Sequence, residues 1–244
     1  MASLSRKRKG KSAQNFESAK FKSLFHEDHY HRYTRFREVL PEARIEVDSD
    51  EFTPMKVQIN LRKWKRLTKP IQAVGYSLVR EFYANAWIRD EERNQPLSYS
   101  TFVRGNDIIF FPENDLRLDE VLQELCVEGA QWVFHDDGRH HFFRRTDLKP
   151  MARGWYKFVI RSIMPTGNRS EVTVERAVLI HSIILGKDIQ VDEIIAEQIY
   201  KLVNKAGITT KLLFPGVIER LCAEKKVSIP DETISRLSPI STQS

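Results

Sequence analysis

The sequence predicts an α+β fold that is mainly α-helical, a helical domain with two short β-hairpins in its first half. Three observations predict it. Apolar residues recur at spacings of three and four through most of the chain, the mark of helices buried along one face. Two turn pairs, Gly105-Asn106 and Asp137-Gly138, sit between short aromatic or β-branched runs and mark hairpins. Strands and helices do not alternate, which disfavours a parallel α/β sheet.

In chain order, the stripe Phe16, Phe21, Leu24, Phe25, Tyr30, Tyr33, Phe36 and Leu40 predicts a helix over 16–39, stopped by Pro41. Residues 41–54 carry acids at 42, 46, 48, 50 and 51 and read as a linker with room for one short strand. Val57 and Ile59 alternate with polar neighbours, the pattern of a strand end. Pro70 opens a helix whose stripe of Ile71, Val74, Leu78, Phe82 and Ala86 is widened by Val79, Tyr83 and Trp87, so it is buried on more than one side. The first hairpin covers Tyr99–Phe111 with Gly105-Asn106 at its turn centre. Asn114 and Asp115 offer caps to a helix with Leu116, Leu118, Val121, Leu122, Leu125 and Cys126 on its inner face. The second hairpin joins Trp132-Val133-Phe134 to Phe142-Phe143.

After Lys149-Pro150 the chain reads as helical. Met151, Trp155, Phe158, Val159 and Ile163 form one stripe ended by Pro165. Ser170 or Thr173 caps a helix carrying Val174, Ala177, Val178, His181, Ile184 and Leu185, with Gly186 at its C-terminal cap. Asp192 caps a helix of Ile194, Ile195, Ile199, Leu202 and Val203 ended by Gly207, and Pro215 starts another with Val217, Ile218, Leu221 and Cys222. The Ser-, Thr- and Pro-rich stretch from Pro230 is expected to be disordered. The organisation predicted is a basic tail at 1–14, a helix and acidic linker at 15–54, the domain proper at 55–229 and a second tail at 230–244.

Charge narrows the function classes. The 244 residues carry a net charge of +6, yet residues 1–40 hold ten Lys/Arg against four Asp/Glu while the remainder is balanced. Arg6, Lys7, Arg8, Lys9 and Lys11 form the densest cluster and read as a nuclear import signal, placing the protein in the nucleus with an import receptor as partner, with a phosphate-binding arm for nucleic acid and a solubilising tail as the alternatives. In the balanced remainder, Arg62, Lys63, Lys65, Arg66 and Lys69 surround Trp64 with no acid between residues 57 and 80. Arg139, His140, His141, Arg144, Arg145, Lys149 and Arg153 make a second basic stretch, interleaved with Phe142 and Phe143. Arg62, Lys63, Lys65, Arg66, Lys69, Arg139, Arg144 and Arg145 are the nucleic-acid-binding candidates, because clustered cations supply the sequence-independent part of such affinity. The aromatics are either stacking platforms for unpaired bases or core anchors whose charged neighbours snorkel outward. No apolar run reaches about 18 residues and the basic start has no apolar stretch behind it, so neither a membrane span nor a Sec-type leader is expected. Two cysteines, Cys126 and Cys222, make no disulfide framework and point to a reducing compartment.

The chemistry-bearing residue types form no recognisable catalytic or metal set. His26 and His29 are spaced three apart, not the four of a zinc-protease helix, and read as polar-face residues. Cys126, His135, His140 and His141 lack the second cysteine of a structural zinc site. Turn chemistry accounts for Asp107, Asp136 and Asp137, and helix capping and solvation for Glu171 and Glu175, leaving no carboxylates to clamp two metals. There is no Gly-x-Ser-x-Gly and no Gly-rich phosphate loop, and His181 sits on an apolar helix face as a core histidine. No catalytic residue, metal or cofactor is therefore expected.

One resemblance adds to this reading. Arg80-Glu81-Phe82-Tyr83-Ala84-Asn85-Ala86, Val103-Arg104-Gly105 with Ile108 to Phe110, Leu148 to Trp155, Ile163-Met164-Pro165-Thr166, Glu171 to Lys187, and Phe214 to Ile218 with Leu221-Cys222 follow one another in an order and spacing that resembles the putative plant transposon protein domain, over roughly residues 60–229. The resemblance implies descent from mobile-element coding sequence and brings no catalytic residues with it. The expected function is a non-enzymatic, transposon-derived nuclear module that binds protein or nucleic acid. A capsid-like self-association domain of a retroelement and a metal-dependent transposase or nuclease are the alternatives.

Overall fold

The computed structural model describes residues 17–42, 45, 52–69, 73–87, 102–103, 106–107, 117–203, 205, 207–227 and 234–236. Within them the fold is mainly helical with a small antiparallel sheet, as the periodicity predicts. Arg6, Lys7, Arg8, Lys9, Lys11, Phe16, Pro70, Ile71, Gly105, Asn114, Asp115 and Leu116 lie outside the described residues.

Helix α1 is Leu24–Arg32, shorter than the predicted 16–39, and a 3-10 turn follows at Thr34–Phe36. Phe21 precedes it in a turn closed by its own N–H on the Glu17 carbonyl at 2.9 Å, so the apolar spacing there reflects a folded-back chain rather than one long helix. Residues 38–40 then pair with Leu212, Leu40 N–H donating to the Leu212 carbonyl at 2.8 Å and Leu212 N–H to Glu38 at 2.7 Å.

Val57 and Ile59 belong to helix α2, Thr53–Leu61, and not to a strand. Met55 and Ile59, four apart, are buried while Val57 is 50% exposed, the signature of one helical face. Pro54 in the first turn costs no hydrogen bond there. A short helix, α3, covers Lys65–Thr68.

The helix predicted from Pro70 begins later, as α4, Tyr76–Ala86. Ala73–Gly75 instead forms strand β1, which leaves Val74 fully buried on a strand and Val79 and Tyr83 as the helical core positions. The partner of β1 is β7, Ile234–Arg236, antiparallel with Val74 opposite Ser235. Part of the C-terminal stretch expected to be disordered is thus a strand, because β1 supplies a backbone edge that composition does not display.

Strands β2, Phe102–Val103, and β3, Asn106–Asp107, form the first hairpin. Val103 pairs with Asn106, so Asn106 is a strand residue rather than a turn-centre one, and Asp107 is a strand residue too. Helix α5, Leu118–Leu125, takes Arg117 as its N-cap residue without a side-chain bond, and buries Val121, Leu122 and Leu125 as expected. At its other end the Lys149 ammonium donates to the Gln123 and Glu124 carbonyls at 2.8 and 3.0 Å, where the helix dipole favours a cation.

The second hairpin is β4, Val133–Phe134, and β5, His140–Arg144, joined through Gly138 at φ +82°. A third strand, β6, Glu171–Thr173, completes the order β4-β5-β6 with Phe143 opposite Val172, both fully buried. Glu171 is therefore a strand residue rather than a helical one. Its three-residue run is too short to show a period of two.

Helix α6, Pro150–Phe158, has Pro150 in its first turn and passes into a π-turn at Val159–Ile163, with Met164 N–H donating to the Val159 carbonyl at 2.8 Å. Gly154 lets α2 approach: a Cβ there would lie 2.7 Å from the Phe52 ring. Helix α7, Val174–Ile184, ends in a Schellman motif, Gly186 N–H on Ile183 and Lys187 N–H on Ser182, as the Gly signal predicts. Helix α8, Val191–Val203, holds Asp192 inside its first turn rather than at the cap, where it still complements the dipole. Helix α9, Pro215–Glu224, starts on Pro215 as predicted. The core joins the stripes of α4 to α9 with Phe143 and Val172 of the sheet. Among the described residues no helix is long and apolar enough to cross a membrane.

Candidate functional site

The surface with the clearest chemical character lies where α2 turns into α3. Helix α2 ends in the same cap geometry as α7: Lys63 N–H donates to the Asn60 carbonyl at 3.1 Å and Trp64 N–H to the Ile59 carbonyl at 2.9 Å. The left-handed position usually filled by glycine is here Lys63, at φ +58°. Such a conformation costs a β-carbon-bearing residue about 1 kcal/mol. Trp64, the apolar residue that closes the cap, is only 8% exposed and lies nearly parallel to Phe158, with ring centroids 5.9 Å apart. The Arg62 guanidinium packs on Trp64 at 5.0 Å. Trp64 is therefore a core anchor and not a platform for bases.

Burying Trp64 projects its neighbours outward. A shallow cavity of about 510 Å³ is lined by Asn60, Lys63, Lys65, Arg66, Lys69 and, from α9, Arg220. Arg220 donates to the Lys69 carbonyl at 3.1 Å, which fixes the α9 wall against α3. Among the described residues none of these five cations forms an ion pair. Arg62 is not part of the lining. It donates to Gln58 and to the Lys187 carbonyl, at 3.1 and 2.7 Å, and ties α2 to the end of α7. Glu42, which lines a smaller neighbouring cavity with Arg66 and Arg220, is engaged: it accepts from the Gly216 and Val217 N–H groups at 2.9 and 3.2 Å, capping α9. Burial pushes its carboxyl above the usual range, against the opposing pull of those N–H groups and of Arg220.

The second basic stretch is spread through the fold. Arg139 pairs with Asp137 at 2.8 Å, and Arg153 donates to the Thr146 and Leu148 carbonyls at 3.0 and 2.9 Å. Lys149 caps α5. Arg144 and Arg145 are exposed, Phe143 is buried, and Phe142 is half-buried. None of these residues lines the cavity. Arg220 is the residue that sequence reasoning missed, and no local signal could have found it: it belongs to the cluster only through the packing of α9 on α3.

The residues tested for catalysis do not converge. Among the described residues no group of three or more His, Cys, Asp or Glu could hold a metal ion. Asp136 and Asp137 sit in the β4–β5 turn, where Asp137 accepts from Arg139 N–H at 3.1 Å, which with the Arg139 guanidinium holds its carboxyl low. Burial and Asp147 push the Cys126 thiol up to about 12, far from an activated nucleophile. His181 is a buried histidine, its Nε2 2.8 Å from the Glu124 carboxylate, while its Nδ1 meets no partner. His29 is a correction to the polar-face expectation. It is 9% exposed and stacked on Trp87 at 4.1 Å, so it joins α1 to α4.

Fold and site together define a mainly helical α+β domain whose distinguishing surface is a cluster of cations that form no ion pair among the described residues. A sequence model described as Putative plant retrotransposon-related domain matches residues 60–228, and the chain belongs to that family. The matched stretch contains all six residues that line the cavity. No curated protein and no solved structure matches the chain.

Proposed function

We propose that this retrotransposon-derived domain is a non-enzymatic nuclear module that binds nucleic acid through the cavity between α2–α3 and α9. The observation that carries the reading is the set Lys63, Lys65, Arg66, Lys69 and Arg220, five cations gathered around one cavity that form no ion pair among the described residues. A fold gains little from holding like charges together unpaired, whereas a phosphate backbone releases counterions on meeting them. Phosphate contacts position a ligand and need no catalytic group.

The expected result with the full chain is salt-sensitive binding that falls about tenfold or more when Lys65, Arg66 and Lys69 are changed together to Gln. Undiminished binding by that variant overturns the assignment of the cavity, and cleavage of the nucleic acid with Mg²⁺ or Mn²⁺ overturns the non-enzymatic part. The basic run Arg6, Lys7, Arg8, Lys9 and Lys11 supports nuclear import. A reporter fused to residues 1–14 is expected to concentrate in nuclei, and an unchanged cytoplasmic distribution would sink that part.

A further inference from the structure

Resting on the reading that the cavity holds nucleic acid, we infer that its ligand is a double strand, held by its phosphates without regard to sequence. Single-strand binders combine a basic groove with aromatic rings on which successive bases stack. Among the described residues this cavity has the cations and lacks the rings. Its lining among the described residues is one amide, Asn60, and five cations, with no aromatic and no carboxylate. Trp64 is the one aromatic in the run 60–69, and it is unavailable to a base: Phe158 lies nearly parallel to it and Arg62 packs on the ring. Freeing it would mean dismantling the cap of α2 and opening the core beside α6.

With stacking removed, affinity follows phosphate density. A duplex presents one charge per about 1.7 Å of axis, about twice the density of one strand. Adenine and cytosine are read by amides and carboxylates, and among the described residues the lining offers only Asn60 for this purpose. Arg and Lys also read guanine edges, so agreement between two unrelated sequences is what separates phosphate contact from base reading at these cations. Lys63, Lys65, Arg66 and Lys69 come from two consecutive turns of chain, with Arg220 facing them from α9, a two-sided arrangement suited to straddling a backbone.

The test uses the full chain with Arg6, Lys7, Arg8, Lys9 and Lys11 changed to Gln, so that the arm contributes no charge. Duplex DNA of two unrelated sequences, duplex RNA, and the corresponding single strands are titrated at several salt concentrations. A duplex is expected to bind about tenfold tighter than its own strands, the two DNA sequences to agree within about twofold, and the log–log salt slope to be about 4.5 for five cations at 0.9 per phosphate. Changing Lys65, Arg66 and Lys69 to Gln should lower that slope by about 3. These three side chains are exposed, and unchanged tryptophan fluorescence checks that the variant is folded. Single strands that bind as tightly as duplexes, or one DNA sequence preferred more than about tenfold, overturn the inference and leave the proposed function standing. Absence of binding to any nucleic acid, with or without capture by phosphatidylserine vesicles, overturns both.

Discussion

Replacing Phe158 with alanine is expected to destabilise the protein by about 3–5 kcal/mol. Its side chain is fully buried, with Trp64 nearly parallel at 5.9 Å and Trp155 edge-on at 5.7 Å, so no neighbour can collapse into the space without giving up its own packing. Against a usual total of about 5–15 kcal/mol, that is a large share of the stability. The effect should also reach the surface. Trp64 closes the cap that holds Lys63 at φ +58°, and a loosened Trp64 releases the strained turn that aims the cavity's cations. Urea unfolding of Phe158→Ala, with Phe158→Leu as a milder control, checks the magnitude. A loss below about 1 kcal/mol would contradict the packing described.

The second large effect is a dependence on pH at the seam between α1 and α4. Burial against Trp87, helped by Arg37 and His26 and opposed by Asp28, lowers the His29 pKa from 6.5 to about 4. The folded state therefore binds this proton less readily than the unfolded chain does. Its contribution to stability is complete above pH 6.5, declines as pH falls from 6.5 towards 4, and changes no further below that. The loss amounts to about 3 kcal/mol at most. Unfolding at pH 7.5, 5.5 and 4.5, compared between the natural chain and His29→Phe, isolates it from the carboxylates that titrate in the same range. Equal acid sensitivity in both chains would remove His29 as the cause.

Much of the architecture was legible because local signals carried it. The Gly186 cap, Pro150 and Pro215 at helix starts, and the Asp137-Gly138 turn each depend on backbone preferences of one or two residues, and the structure places all of them as read. The differences share one origin, segments too short for their own residues to decide the element. Val57 and Ile59 mimic a strand because two positions cannot distinguish a period of 2 from one of 3.6, and Met55 four residues before Ile59 settles it as a helix. Val74 fits both a helical stripe and a strand, and pairing with residues 234–236 decided in favour of the strand. Strand β6 is three residues long and exists because β5 offers it an edge. His29 resembled a polar-face residue because its neighbours Asp28 and His31 are polar, and its stacking on Trp87 could be seen only once α1 met α4.

By itself the sequence determined the element types through much of the second half, the mobile-element family, and the location of the excess charge in the first 40 residues. It also supplied the cations at 62–69. Only the tertiary structure decided which of them share a surface. Burial of Trp64 turned Lys63, Lys65, Arg66 and Lys69 outward and withdrew Arg62 into hydrogen bonds with Gln58 and Lys187, while α9 brought Arg220 to a partner 151 residues away. The physical reason is range. Helices, caps and turns follow from hydrogen bonds over a few residues, but whether a cation is left unpaired depends on every element packed around it.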